Sequence, residues 1–117
     1  MPRFAILEHD YPVPHWDLFL EAGDVLRSWR LLAPLEPGIA VAAEPTGDHR
    51  LLYLDYEGPV SGNRGTVARI DAGTFSWEVE AVERLIVRIT GARFVGRMVL
   101  QPGPGQWTCR FEPEDVL

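Results

Sequence analysis

His9-Asp10-Tyr11-Pro12-Val13-Pro14-His15-Trp16-Asp17-Leu18-Phe19-Leu20-Glu21 is the stretch on which the reading of this chain turns. It holds two imidazoles and a carboxylate in the spacing His-x5-His-x-Asp. In an extended strand successive side chains point to opposite faces, so residues two apart share one. A strand over 15–21 therefore projects His15 and Asp17 together and leaves Trp16, Leu18 and Leu20 as an apolar opposite face. Pro12 and Pro14 stiffen the short connection that folds His9 back toward the pair. Two neutral imidazoles and one carboxylate suit Mn2+, Fe2+ or Zn2+ and leave coordination positions open, as a hydrolytic metal requires. Glu21 lies on the same strand face and is a candidate to orient a ligand imidazole from behind.

Outward from this segment, short alternating runs are broken by Gly, Pro and Asp. Strands are expected at Arg3–Glu8, His15–Ala22, Val25–Leu32, Leu85–Thr90, Phe94–Leu100 and Gln106–Phe111, with a short one at Ile39–Ala43. Gly23-Asp24 reads as a hairpin turn and Pro45–Asp48 as another. Thr66–Asp71 and Thr74–Glu80 read as a hairpin about Ala72-Gly73. Leu51–Tyr56 fits either a strand or a helical turn, Gly58–Gly65 reads as loop, and Val79–Leu85 is the best helical candidate. About eight short strands with frequent turns predict a mainly β fold, a compact closed antiparallel β-barrel with minor helical turns, or else a sandwich. No repeat or linker divides the chain, so residues 1–117 are expected to form a single domain.

Composition narrows the function. The 117 residues carry 11 basic and 17 acidic side chains, a net charge of −6. That argues against broad DNA coating, which rests on many phosphate contacts, but not against a site that grips one phosphate or a strand end. Every basic residue is arginine, so lysine-based covalent chemistry is excluded and phosphate gripping falls to guanidinium groups. No apolar run approaches the roughly 20 residues of a membrane helix. Met1–Phe4 lacks the apolar segment of a secretory signal, and the single Cys109 cannot form an internal disulfide. A cytoplasmic protein with no membrane partner is the expectation. Cys109 reads as a small buried hydrophobe, and Trp16, Trp29, Trp77 and Trp107 as core.

The ordered set of motifs resembles the 3′-phosphoesterase domain family of bacterial DNA ligase D. The family opens with an aromatic strand into a His, then His-Tyr-Asp-Phe-Arg-Leu-Glu. Here these stand as Phe4–His9 and His15-Trp16-Asp17-Leu18-Phe19-Leu20-Glu21. Leu26-Arg27-Ser28-Trp29, then Asp48-His49 with Tyr53, then Asp55-Tyr56-Glu57-Gly58 follow in the family's order. Gly65-Thr66-Val67, Gly73-Thr74-Phe75 and Trp107 complete it.

The resemblance implies a β-barrel with flanking helical turns and a manganese-dependent activity. That activity removes a 3′-ribonucleoside, and then a 3′-phosphate, from a primer end in non-homologous end joining. It implies His9, His15 and Asp17 as ligands of Mn2+ or another divalent transition metal, with His49 and Tyr53 facing the scissile phosphate. The implied partners are nucleic-acid 3′ ends and a repair ligase or polymerase.

Three departures accompany it. The family's phosphate-contacting Arg, two residues after the Asp, is Phe19 here. The family's Pro-x-Gly-x-Tyr-Gly-x-Gly loop is shortened to Val60–Gly65. The arm that precedes the first strand in longer members has no counterpart in this sequence; a free-standing, divergent member is the expectation. Arg64, or Arg50 beside His49, is the expected substitute for the lost guanidinium. Two other readings stay open: a hydrolase of a different phosphoester, and a catalytically silent barrel that binds a metal or a repair partner.

Overall fold

Nine strands and one short 3-10 turn make up about two thirds of residues 1–114, which the computed structural model describes. In chain order they are β1 (Arg3–His9), β2 (His15–Ala22), β3 (Val25–Leu31), β4 (Ala40–Arg50), the 3-10 turn (Leu51–Leu54), β5 (Gly58–Pro59), β6 (Thr66–Ala81), β7 (Arg84–Gly91), β8 (Val95–Pro102) and β9 (Trp107–Pro113). All pairings are antiparallel. The sheet runs β1-β2-β3-β4-β9-β8-β7-β6, and β6 returns to β1, so eight strands close into a ring. β5 is a two-residue addition on β6. Among the described residues no helix is long and apolar enough to cross a membrane.

Alternation sorts the side chains into two apolar bodies. Phe4, Leu20, Trp29, Phe75, Met98 and Phe111 belong to the larger, which fills the ring and draws on most of the strands. Trp16, Trp77 and Trp107 are partly buried against it. The opposite parity of β1 and β2, Ala5, Leu7 and Phe19, joins Leu26 and Val67 in a smaller body outside the ring. Leu54 of the 3-10 turn closes over this patch, with Tyr53, Tyr56 and Val60 packed against it. Burying a leucine side chain stabilises by about 2 kcal/mol, so the 51–65 segment is held down largely by apolar contact. Arg3 adds a surface tie through an Nη2–Asp55 Oδ1 contact of 2.5 Å. The guanidinium holds the Asp55 carboxyl below its usual range.

Three stretches differ from expectation. Thr66–Ala81 is one long strand and not a hairpin about Ala72-Gly73. Gly73 lies where β6 pairs with both β1 and β7. A Cβ there would sit 2.0 Å from the Thr90 carbonyl oxygen, so the glycine serves close strand approach rather than a turn. Val79–Leu85 is the end of β6, the Val82-Glu83 turn and the start of β7, not a helix. Ile39–Ala43 and the expected turn at Pro45–Asp48 merge into the single strand β4. Pro45 fits because β9 pairs only with 40–43, leaving β4 with an edge beyond that point. Leu51–Tyr56 resolves to the 3-10 turn.

Candidate metal and phosphoester site

The register of the first hairpin builds the centre. His9 and His15 are directly paired across β1 and β2, and Asp17 pairs with Leu7, two residues before His9. Directly paired residues share a sheet face, as do residues two apart on one strand. All three side chains therefore leave the outer face of the ring together. One ligand atom from each lies within 4.8 Å of the others. Asp17 Oδ2 stands 3.3 Å from His15 Nε2 and 3.9 Å from His9 Nδ1. The imidazole rings meet edge-on at 4.9 Å.

Backbone carbonyls fix which nitrogens face the centre. His15 Nδ1 donates to the Val13 oxygen at 3.0 Å, and His9 Nε2 donates to the Arg64 oxygen at 2.8 Å. A carbonyl only accepts, so these nitrogens carry the protons and the neutral rings present lone pairs at His15 Nε2 and His9 Nδ1. His15 Nε2 is buried without a hydrogen-bond partner. Two lone pairs and a carboxylate oxygen crowded together repel unless a cation lies among them. The donor set and its second partners thus fit a divalent transition metal.

The connections to these ligands are equally specific. Asp10 accepts from Thr66 N through Oδ1 at 2.7 Å and so pins the ligand hairpin to β6. Gly65 has φ +78°, and a Cβ there would fall 2.2 Å from Asp10 Oδ1. Only glycine lets the chain pass that point while Arg64 offers its carbonyl to His9.

Beside the centre lies a cleft of about 130 Å³ whose lining includes Leu7, Phe19, His49, Tyr53, Val60 and Arg64. His49 comes from the end of β4, Tyr53 from the 3-10 turn. Phe19 is buried and packs both: its ring is 5.1 Å from His49 and stacks on Tyr53 at 6.1 Å. His49 Nδ1 lies 2.8 Å from the Gly47 oxygen and 2.8 Å from Ser28 Oγ, and Ser28 Oγ donates to the Leu26 oxygen. With Nδ1 as the donor, Nε2 is the nitrogen left to accept or deliver a proton. Ser28, buried on the β3 strand, was not singled out in the sequence. Its role follows from the bulge between Leu26 and Ser28, which local sequence does not announce.

The remaining candidates are placed differently. Glu21 accepts from Arg3 N at 2.8 Å, four residues along β2 from Asp17 and so about 13 Å away. Arg64 lines the cleft, but its guanidinium folds back on Ser61, with Nε to the carbonyl at 2.7 Å and Nη2 to Oγ at 3.1 Å. Arg50 is exposed and fronts a neighbouring hollow with Leu52, Tyr53 and Tyr56.

Comparison with known proteins finds relatives of this chain. Residues 7–101 match the family described as the DNA ligase D 3′-phosphoesterase domain. The multifunctional non-homologous end joining DNA repair protein LigD of Mycobacterium tuberculosis (strain H37Rv) is 34% identical over 106 residues. The LigD of Mycobacterium bovis, named a multifunctional non-homologous end joining protein, is 34% identical over the same length. In both cases the match covers 83% of this chain but only 14% of the relative. On the extent of these matches, the chain belongs to the DNA ligase D 3′-phosphoesterase domain family.

Proposed function

We propose that this protein is a metal-dependent phosphoesterase that processes 3′ ends of nucleic acid, removing a 3′-ribonucleoside and then a 3′-phosphate. The observation that carries this reading is the convergence of His9, His15 and Asp17 within 4.8 Å at a cleft that His49 and Tyr53 also line. Mn2+ held by those three residues would supply Lewis acidity toward a phosphoryl oxygen and a lowered pKa for a coordinated water.

The chain's own residues supply the rest. The carbonyls of Val13 and Arg64 hold both imidazoles in the ligating tautomer. Ser28 and the Gly47 carbonyl orient His49, whose Nε2 would relay a proton to the departing oxygen. Phe19, Val60 and Val67 exclude water on one side of the cleft. Tyr53 offers a phenolic donor to a non-bridging oxygen. End joining with a repair ligase or polymerase is the setting this reading implies, in the cytoplasm.

A primer bearing a 3′-ribonucleotide or 3′-phosphate, incubated with the protein and Mn2+, should lose the ribonucleoside and then the phosphate. His9→Ala and Asp17→Ala should abolish turnover and the Mn2+ uptake seen by calorimetry. Absence of turnover with every divalent metal at high enzyme would sink the proposal. Turnover of an aryl phosphodiester without action on primer ends would move the assignment to a smaller phosphoester.

A further inference from the structure

Three of the buried polar side-chain atoms that lack a partner among the described residues front one cleft. They are His15 Nε2, Arg30 Nε and Thr46 Oγ1. The cleft, about 280 Å³, is lined also by His9, Asp17 and His49. Buried polar atoms without partners are rare in folded proteins, and their gathering in one place marks a site that expects a ligand.

The register explains how Arg30 arrives there. Arg30 of β3 is the direct cross-strand partner of Asp17, so both side chains leave the same sheet face. Thr46 of β4 pairs with Ser28, two residues before Arg30, and joins that face. The nearest side-chain nitrogens to the Asp17 carboxylate are those of the two imidazoles. Arg30 has no ion pair with any described acidic residue. Its guanidinium is thus available, whereas that of Arg64 is spent on Ser61 and that of Arg50 faces another hollow.

We infer that Arg30, with Thr46, forms an anion subsite beside the metal centre that seats the phosphate of a 3′-phosphate end. This inference rests on the function proposed above and names the residue that does the work of the family's Arg, absent here at Phe19. A planar fork of donors matches phosphate geometry. A divalent cation and a guanidinium against the single carboxylate of Asp17 leave surplus positive charge, which a phosphomonoester dianion would balance. A water molecule could satisfy Nε and Oγ1 but would not balance that charge.

Calorimetry on the full chain with Mn2+ separates the possibilities. The probes are inorganic phosphate and one oligonucleotide ending in either 3′-phosphate or 3′-hydroxyl. The unsubstituted chain should prefer the 3′-phosphate end. Arg30→Gln should weaken binding of that end and of inorganic phosphate at least about tenfold, the usual scale of a charge-assisted contact. It should leave Mn2+ affinity and 3′-hydroxyl binding within about twofold. Arg30→Lys should fall between, and Thr46→Val should give a smaller loss; these two also serve if Arg30→Gln unfolds early in a thermal scan. Undiminished 3′-phosphate binding in the variants would overturn the subsite and indicate water alone, while leaving the end-processing reading standing. Arg30-dependent binding of inorganic phosphate with no preference among ends would keep the subsite and overturn the end-processing reading.

Discussion

At the scale of single residues, the site depends on groups whose hydrogen bonds to backbone decide what they present. Ser28 shows this most clearly. Its hydroxyl lies between the Leu26 carbonyl and His49 Nδ1, and replacing it removes a brace without touching a metal ligand. Ser28→Ala should lower turnover at saturating primer about tenfold, with Mn2+ affinity unchanged and a stability loss of about 1 kcal/mol, the ordinary worth of one hydrogen bond. Steady-state rates beside Mn2+ calorimetry would check it; a fall in Mn2+ affinity equal to the fall in rate would refute it. The convergence of His9, His15 and Asp17 was legible in the sequence, because a period of two and a short connection suffice to gather them. Arg30 was not, because its meaning lies in pairing with Asp17 on another strand.

Among the elements, the 51–65 segment matters most, since it lies outside the ring and roofs the site. Gly65 is its tightest point, where the left-handed backbone meets Asp10 and Tyr11. Gly65→Ala should cost stability both through strain at positive φ and through the clash with Asp10, by about 2–4 kcal/mol. It should also weaken Mn2+ binding, because the Arg64 carbonyl that orients His9 would move. Denaturant unfolding and Mn2+ calorimetry would read the two effects; stability lost with Mn2+ affinity intact would separate Gly65 from the metal site. Sequence reasoning left Leu51–Tyr56 open between strand and helical turn and read Gly58–Gly65 as loop, where the structure pairs Gly58 and Pro59 with β6 as the short β5. It misread Ala72-Gly73 as a turn, because the demand on Gly73 comes from the Thr90 carbonyl of a distant strand. The Val79–Leu85 misreading has a similar root: the Val82-Glu83 turn carries none of the usual glycine or asparagine punctuation.

For the whole molecule, closure of eight strands leaves an interior filled by apolar side chains, and Cys109 sits within it with no exposed surface. Burial pushes its thiol up to about 12, so at pH 8 the reactive thiolate is scarcer by about four orders of magnitude than the thiol. Alkylation of Cys109 by iodoacetamide in the native state should therefore be negligible, and in increasing urea it should track global unfolding. A mass increase at a urea concentration where tryptophan fluorescence is still native would show that β9 opens locally. The strand count and the apolar alternation made the barrel readable from sequence; the ring's closure by β1 against β6 is long-range pairing that no local pattern encodes.

The alternation of β2 also ties chemistry to architecture by arithmetic. Even-numbered Leu18 and Leu20 stock the interior while odd-numbered His15 and Asp17 serve the exterior cleft. Inserting or deleting one residue between Trp16 and Leu18 would invert that assignment over half the strand, thrusting a leucine into water and a carboxylate into oil. Length drift within this strand is consequently forbidden twice over. A descendant of this chain could shed the cleft's donor atoms by point substitution, yet hardly by an indel in β2 without forfeiting the folded body as well.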